Sequence, residues 1–337
     1  MSRVESLFLT GATGFVGSAL VREARSRGHE VHALVRSSSP REHLEGLGVH
    51  WHEGDLLDRS SLERGIRSAG GCECCVVHAA ARISYRKKEH ELSGRVNVHG
   101  TEQVLAACDE VRPRRLVHVS SVVAVGVASG PTDALTEDAP FNGGRLDAAY
   151  VETKRAAEEL VLAAGGELDV VVVNPGAIFG PSPRTTNTMR LLSRIAASRM
   201  RIPAAPGSLA VVGVEDVADG ILAAIERGAP GRRYLLTESN WTMSELLREI
   251  YSALGMDRRP LAVRPFLWKG ITVGAGWLDR IHPLEVTTPT ALRLLGEHFR
   301  FDSSRAQREL AWKPRPFREV LHSTLAWMRS HGMLPLR

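Results

Sequence analysis

The sequence predicts an α/β protein built on a doubly wound parallel sheet. Apolar, strand-like runs alternate with helix-like runs through the first half of the chain, which is the pattern of βαβ units. A glycine-rich segment follows the first of these runs directly. The chain has 337 residues, of which 43% are hydrophobic and 24% charged, so it can bury a sizeable core.

The first half of the chain divides into strands and helices at clear breaks. Strands are expected where short apolar runs occur, helices where apolar residues recur at helical spacing, and Gly28-His29 ends the first helix. The expected strands are residues 6–10, 30–35, 49–52, 74–78, 115–120 and 169–174, and the expected helices are 16–27, 62–67, 89–111 and 147–164. Strands joined by such helices lie parallel, so we expect helices on both faces of the sheet.

The second half loses this regularity. Residues 184–201 and 242–254 look helical, residues 211–225 look like one more strand and helix of the sheet domain, and breaks fall at 203–207 and 228–231. We therefore assign residues 1–180 to the sheet domain, with 208–228 returning to it. Residues 181–207 and 229–337 form a smaller C-terminal lobe.

Composition argues against several classes of partner. The net charge is only +5, from 43 Lys and Arg against 38 Asp and Glu, and the longest basic run is Arg86-Lys87-Lys88, so no nucleic-acid groove is expected. Glu5 interrupts any signal-peptide apolar region, and no apolar stretch reaches the length of about 18 residues that spans a membrane.

Cysteines and histidines give no disulfide framework or metal site. Cys72, Cys74 and Cys75 crowd one segment, which suits reduced thiols better than disulfides. His50 and His52 flank Trp51 and share a strand face, but no third ligand accompanies them. We expect a cytoplasmic protein without metal.

The glycine-rich segment is typical of a dinucleotide site. Gly11, Gly14 and Gly17 lie between the first strand and the first helix. Glycine allows a sharp turn there and a close approach of the backbone to a pyrophosphate. The N-terminus of the following helix offers free N–H groups and a positive dipole end to the phosphates.

The end of the second strand favours NADP(H) over NAD(H). An acidic residue at this position binds the ribose 2′-hydroxyl of NAD, whereas an arginine accommodates the 2′-phosphate of NADP. Here the strand ends in Leu34-Val35-Arg36, and serines follow. Arg36 can pair with the phosphate bidentately.

A tyrosine and a lysine are placed for acid–base chemistry. Tyr150 and Lys154 lie one turn apart on one helix face. A phenol has an ordinary pKa of about 10, and a nearby ammonium together with the positive nicotinamide ring is expected to lower the pKa of Tyr150 toward neutrality. Ser120 and Ser121, at the end of the fifth strand, can supply a hydroxyl to hold a substrate oxygen.

The motifs together resemble the extended short-chain dehydrogenases/reductases, the group of nicotinamide-dependent epimerases, dehydratases and reductases with a Rossmann-type sheet. Residues 34–36 and the tail at 301–314 resemble its dihydroflavonol reductase and 3β-hydroxysteroid dehydrogenase branch most. The matching motifs, in family order, are Thr-Gly-Ala-Thr-Gly-Phe-Val-Gly at 10–17, Gly-Asp-Leu at 54–56, His-Ala-Ala-Ala at 78–81, Asn-Val-His-Gly at 97–100, Ser120-Ser121, Tyr150-x-x-x-Lys154, Asn-Pro-Gly-Ala-Ile-Phe-Gly-Pro at 174–181 and Val-Glu-Asp-Val-Ala at 214–218.

This resemblance implies a role for each matched residue. Tyr150 would donate the proton, Ser121 would be the catalytic serine, Lys154 would hold the nicotinamide ribose and tune the tyrosine, and Asn97 matches an asparagine that holds a proton-relay water. The residues implied in cofactor binding, besides Tyr150 and Lys154, are Gly11, Thr13, Gly14, Phe15, Val16, Gly17, Arg36, Asp55, Leu56, Ala79, Ala80, Ala81, Ser120, Pro175, Gly176 and Ile178. His78 and His118 are expected in the core.

The reaction remains open between classes. Dehydratases of this group carry an Asp-Glu pair after the serine, where this chain has Val122-Val123, and epimerases generally have an acid where Arg36 stands. The segments 265–278 and 281–284 are apolar, which favours reduction of an apolar ketone or aldehyde, or oxidation of its alcohol. A nucleotide-sugar epimerase or dehydratase is the alternative, and a catalytically silent NADP-sensing regulator is a third reading.

The substrate pocket and a dimer are also expected. The pocket would lie at the carboxyl ends of strands four to six. Ile83, Tyr85, Val122 and Val123 would give it apolar walls, whereas a sugar nucleotide would need charges such as those of Arg184, Arg190 and Arg194. The resemblance implies a homodimer that packs helices 89–111 and 147–164 into a four-helix bundle; the alternative is that their apolar residues all face the sheet.

Overall fold

The computed structural model describes residues 5–84, 89–281 and 288–335. Seven strands form one parallel sheet in the order β10-β6-β5-β4-β1-β2-β3. The strands are β1 (Ser6–Thr10), β2 (Glu30–Val35), β3 (Val49–Glu53), β4 (Cys75–His78), β5 (Arg115–Val119), β6 (Val170–Pro175), β7 (Ala177–Phe179), β8 (Pro203–Ala204), β9 (Ser208–Gly213), β10 (Arg233–Leu236), β11 (Ser239–Thr242) and β12 (Leu261–Ala262). The predicted α/β fold, a Rossmann-type doubly wound parallel sheet, is confirmed.

Helices cover both faces of this sheet. On one face α1 and α7 bury Leu20 and Ile221 against Leu7 and Leu9 of β1. On the other face α2, α4 and α5 pack over Phe8. The helices are α1 (Phe15–Ser26), α2 (Arg59–Ser68), α3 (His90–Gly94), α4 (Gly100–Val111), α5 (Ala149–Ala163), α6 (Asn187–Ala197), α7 (Val214–Arg227), α8 (Met243–Ala253), α9 (Pro265–Ile281), α10 (Pro289–Leu295), α11 (Ser304–Glu309) and α12 (Phe317–Ser330).

The seventh strand of the sheet is not the one that the sequence suggests. Residues 211–213 belong to β9, which pairs with β7 and β11 in a separate three-stranded sheet. β10 instead completes the main sheet by pairing with β6. The helix of this segment, α7, does return to the sheet domain, and Trp312 from the C-terminal region joins the same core.

The long helix expected at residues 89–111 is interrupted. α3 and α4 are separated by one wide π turn at Arg95–His99, and Asn97 lies buried in its middle. The Asn97 side chain accepts from the backbone N–H of Arg82 at 2.7 Å and donates to Thr153 of α5 at 3.0 Å. The wide turn therefore lies where Asn97 ties the helix to two neighbouring segments. Single π turns within helices often occur at functional positions.

A second apolar core joins β7, from within residues 1–180, to helices of the C-terminal lobe. Phe179, Met189, Leu246 and Phe317 pack together there, on β7, α6, α8 and α12. Helix α8 begins at a capping box in which Thr242 and Glu245 exchange side-chain-to-backbone hydrogen bonds. None of the helices in the described part of the chain combines the length and hydropathy of a membrane span.

Candidate active site

The carboxyl ends of β1, β4, β5 and β6 meet at one edge of the main sheet. From β1 the chain builds outward in one direction to β2 and β3, and then returns to the other side of β1 to build β4, β5 and β6. The crevice at such a switch point is where ligands bind in open α/β sheets. The predicted glycine, serine, tyrosine and lysine residues all come from segments that end at this edge.

The glycine loop forms a tight cradle there. Gly11 has φ +78°, and a Cβ on it would lie 2.6 Å from the backbone nitrogen of Ala80. A Cβ on Gly17 would lie 2.1 Å from the carbonyl oxygen of Gly11, so larger residues would force the loop away from the helix. Gly14 begins α1 without a capping side chain, which leaves N–H groups of the first turn for an anion. These features fit a dinucleotide pyrophosphate.

The other predicted cofactor residues surround this loop. Thr10 fixes the segment that follows β4, since its carbonyl accepts from the N–H of Ala79 and its hydroxyl from that of Ala80. Arg36, Asp55 and Ala81 are exposed. The partly exposed members are Thr13, Phe15, Val16, Leu56, Ala79, Ala80, Gly176 and Ile178, and the buried ones are Pro175 and Ser120.

Ser121 and Tyr150 form a hydrogen-bonded pair. Ser121 opens a one-turn helix at Val122–Ala124 directly after β5, and Tyr150 lies in the first turn of α5. Burial raises the pKa of the Tyr150 phenol, and the hydrogen bond from Ser121 partly opposes that rise. Without cofactor the phenol is therefore held protonated at neutral pH. The expected lowering of its pKa depends on a bound nicotinamide and stays a prediction.

Lys154 is held by a backbone contact of its own. Its side chain is buried, and Nζ donates to the backbone carbonyl of Val119 at 2.9 Å. Burial lowers the pKa of Lys154 to about 8, against the opposing charge of Glu158. The ammonium is thus anchored to β5, one helical turn beyond Tyr150.

Sequence reasoning missed a buried polar network behind these residues. Glu158, which is fully buried, accepts from Nδ2 of Asn174 at 2.6 Å and pairs with the Arg233 guanidinium at 3.1 Å. The same Asn174 amide donates to the backbone carbonyl of Ser121 at 3.0 Å. The only sequence signal was the spacing, since Glu158 follows Lys154 by one further turn.

The two core histidines lie where they were expected. His78 is buried between the hydroxyls of Thr10 and Thr101, at 2.7 and 3.0 Å. Burial lowers the pKa of His78 to about 3 and that of its neighbour His118 well below the ordinary value. Both rings are therefore neutral and structural.

The expected pocket walls are only partly exposed. Val122 is buried in a cluster with Val125, Leu146 and Leu294, whereas Val123 is partly exposed. Ile83 is 55% exposed, and Tyr85 lies outside the described residues. The three candidate diphosphate ligands, Arg184, Arg190 and Arg194, are exposed on or just before α6.

Known proteins resemble this chain over most of its length. The model of the NAD dependent epimerase/dehydratase family matches residues 7–236. Sterol demethylase protein B of Methylococcus capsulatus is 36% identical over 336 residues, which cover 97% of this chain and 99% of that protein. A putative dihydroflavonol 4-reductase of Synechocystis is 31% identical over 98% of this chain and 97% of its own length.

A solved structure extends the likeness to the whole fold. The crystal structure of gox2253 superposes with a TM-score of 0.85 at 30% identity, and covers 98% of this chain and 100% of its own. The likeness therefore includes the C-terminal lobe as well as the matched sheet domain.

Proposed function

Because the chain belongs to the NAD dependent epimerase/dehydratase family and is an NAD(P)-dependent dehydrogenase/reductase, we propose that it reduces a ketone or aldehyde of a largely apolar small molecule with NADPH, or oxidises the matching alcohol. The observation that carries this proposal is the hydrogen-bonded Ser121–Tyr150 pair, with Lys154 one turn along the same helix. All three lie at the sheet edge that holds the glycine cradle.

Tyr150, Ser121 and Lys154 each have a separate role in the proposed reaction. A nicotinamide dinucleotide bound in the cradle supplies or takes up the hydride. Tyr150, held protonated by burial, donates its proton to the carbonyl oxygen of the substrate, and accepts it back in the oxidative direction. Ser121 bonds the same oxygen and orients it. Lys154, one helical turn from Tyr150, offers its ammonium to the nicotinamide ribose.

Two features support NADP over NAD. Arg36 is exposed at the carboxyl end of β2, free to pair with a 2′-phosphate. The first acid after it in the sequence is Glu42, too far along the chain to take the place of the acid that NAD-selective sites use.

An apolar substrate is supported by the lobe above the site. Helix α9 exposes large apolar side chains, among them Phe266 at 64% and Trp277 at 66%. It packs on α10, whose Arg293 reaches Asp147, three residues before Tyr150. The names of the two relatives, a sterol demethylase protein and a flavonol-type reductase, point to hydrophobic ring compounds.

The test is a substrate panel with matched variants. NADPH oxidation is followed with hydrophobic ketones, aldehydes and nucleotide sugars. We expect turnover with the first two classes, KM within a few-fold of wild type in Arg190→Ala and Arg194→Ala, and loss of activity in Val123→Asp, which places a charge against an apolar substrate. Val122→Asp is a poorer choice, since Val122 lies in the core.

Other outcomes would select a different reading. A KM raised a hundredfold by the arginine changes, together with turnover of a nucleotide sugar, would replace the proposal with the epimerase or dehydratase. Tight NADPH binding without turnover of any class would favour a silent sensor.

We also propose that the protein is a cytoplasmic homodimer. Val104, Ala157 and Val161 are buried within the subunit, whereas Val98 and Leu160 of the same helical layer are partly exposed, so apolar surface is left for a second copy. Sedimentation at micromolar concentration should give twice the mass of the 36.8 kDa chain; a single-chain mass would contradict the dimer.

A further inference from the structure

A second polar cluster lies on β2 and β3, on one face of the main sheet. Glu30 and His32 project from β2, and His50 and His52 project from β3. The parallel register pairs His32 with His50, and side chains two residues apart share a sheet face. All four groups therefore point to the face that α2 covers.

Glu30, His32 and His50 place their ligand atoms close together. Oε1 of Glu30 lies 3.1 Å from Nε2 of His32 and 3.3 Å from Nε2 of His50, and the three ligand atoms all lie within 4.8 Å of one another. Ligands at Zn–N and Zn–O distances of about 2.05 Å in a tetrahedral site are separated by about 3.3 Å. The two distances from Glu30 match that value, so side-chain shifts that bring the two histidine Nε2 atoms together would admit an ion.

His52 contacts His32 at the ring nitrogen that does not face Glu30. Its Nε2 lies 2.9 Å from Nδ1 of His32. When His32 donates that Nδ1–H to His52, its Nε2 lone pair is directed toward Glu30, which is how metal-bound histidines are oriented in known sites. The rings of His50 and His52 lie nearly parallel to that of His32, with centroids 4.6 and 5.1 Å away. The half-exposed His50 ring must therefore rotate for its Nε2 to share an ion with His32.

The cluster combines a rigid centre with an open side. The His32 side chain is 8% exposed, whereas those of Glu30 and His50 are 51% and 56% exposed. A cavity of about 330 Å³ adjoins Glu30 and His32 and is lined also by Ser6 and Arg114. An ion can therefore enter from solvent and keep a coordination position for water.

We propose that Glu30, His32 and His50 bind a divalent transition-metal ion, with His52 as the positioning residue. Two imidazoles and a carboxylate suit Zn²⁺ and its neighbours rather than Mg²⁺ or Ca²⁺. An ion binds the unprotonated Nε2 atoms of the two histidines, so any proton that either atom carries is released to solvent on binding. This site is separate from the proposed reductase chemistry and does not depend on it.

Zinc chloride titrated calorimetrically into the full, untagged and chelator-treated protein tests the proposal. We expect one equivalent bound by the wild type, and at least tenfold weaker binding in His50→Ala and Glu30→Gln, whose half-exposed side chains can be changed without disturbing the core. His52→Gln should weaken binding about 10–100-fold through the orientation of His32. At a concentration that saturates the wild type, cobalt(II) should give it the visible bands of a four-coordinate ion, and these bands should be lost in His50→Ala and Glu30→Gln.

A matched histidine elsewhere serves as the control. His99 pairs with Glu102 at 2.9 Å, and the two side chains are 53% and 48% exposed, so His99→Ala removes a comparable surface pair and should leave zinc binding unchanged. If the wild type binds no zinc, or if His50→Ala binds zinc as tightly as the wild type, the cluster is joined by hydrogen bonds alone and the proposal is wrong.

Discussion

The buried charge of Lys154 should lower the free energy of unfolding of the cofactor-free protein. Lys154 is 4% exposed, and burial lowers its pKa from the ordinary 10.5 to about 8. The folded state therefore binds this proton less tightly than the unfolded state does. The penalty is fully present below pH 8 and disappears as the pH rises through 10.5. We predict that Lys154→Met abolishes turnover and weakens cofactor binding, yet stabilises the cofactor-free protein at pH 7.

The size of the effect follows from the pKa difference. About 2.5 pKa units at 1.36 kcal/mol each correspond to a cost of about 3 kcal/mol at pH 7. The methionine leaves the Val119 carbonyl without the bond from Nζ, which costs about 1 kcal/mol. The net gain is about 2 kcal/mol, or roughly 3 °C in Tm for 337 residues.

Urea unfolding of the wild type and Lys154→Met, at pH 7 and at pH 10, measures this difference. We expect the variant to be more stable at pH 7 and the gap to narrow at pH 10, where the wild-type lysine is neutral in the fold. Lys313→Met is the control, because Lys313 is exposed, and it should change stability little at either pH. A variant that is less stable than wild type at pH 7, or a gap that does not depend on pH, would refute the reasoning.

Three further predictions concern the site. Tyr150→Phe should lower turnover by about a hundredfold or more with cofactor affinity nearly unchanged; full activity would contradict the proposed proton transfer. Ser121→Ala removes a hydrogen bond that lowers the Tyr150 pKa, so the rise of alcohol oxidation with pH should move to higher pH. An unchanged pH profile would show that Ser121 does not influence the Tyr150 pKa. Arg36→Asp should weaken NADPH and improve NADH in a binding titration, and a wild type that prefers NADH would show that Arg36 does not select the cofactor.

The sequence predicts well those parts of the site that depend on local backbone geometry. The glycine loop after β1 was identifiable because Gly11 needs a positive φ, and Gly17 has no room for a side chain. Tyr150 and Lys154 were identifiable because helical spacing alone places them on one face. The central strands were recognisable because a parallel sheet buried on both faces requires near-continuous apolar runs.

The features that it missed depend on contacts between distant segments. β9 and β10 are both short apolar runs, and only the pairing of β10 with β6 decides which one joins the main sheet. The contact of His50 and His52 with Glu30 and His32 was not foreseen because these residues lie about 20 positions earlier, and the β2–β3 register alone brings the four together. The raised pKa of Tyr150 in the cofactor-free protein was not foreseen because burial of the phenol depends on how α5 packs in the fold.

Glu158 shows most clearly why the arrangement of the site is set by the fold. An acid on a helix is usually solvated, yet Glu158 is fully buried, which is tolerable only because Asn174 and Arg233 meet its two oxygens. Its charge favours the ammonium of Lys154, and through the Asn174 amide it is connected to the backbone of Ser121. One buried carboxylate thus links the lysine and the serine on either side of Tyr150, so the geometry of the three groups depends on α5, β6 and β10 packing together as a unit.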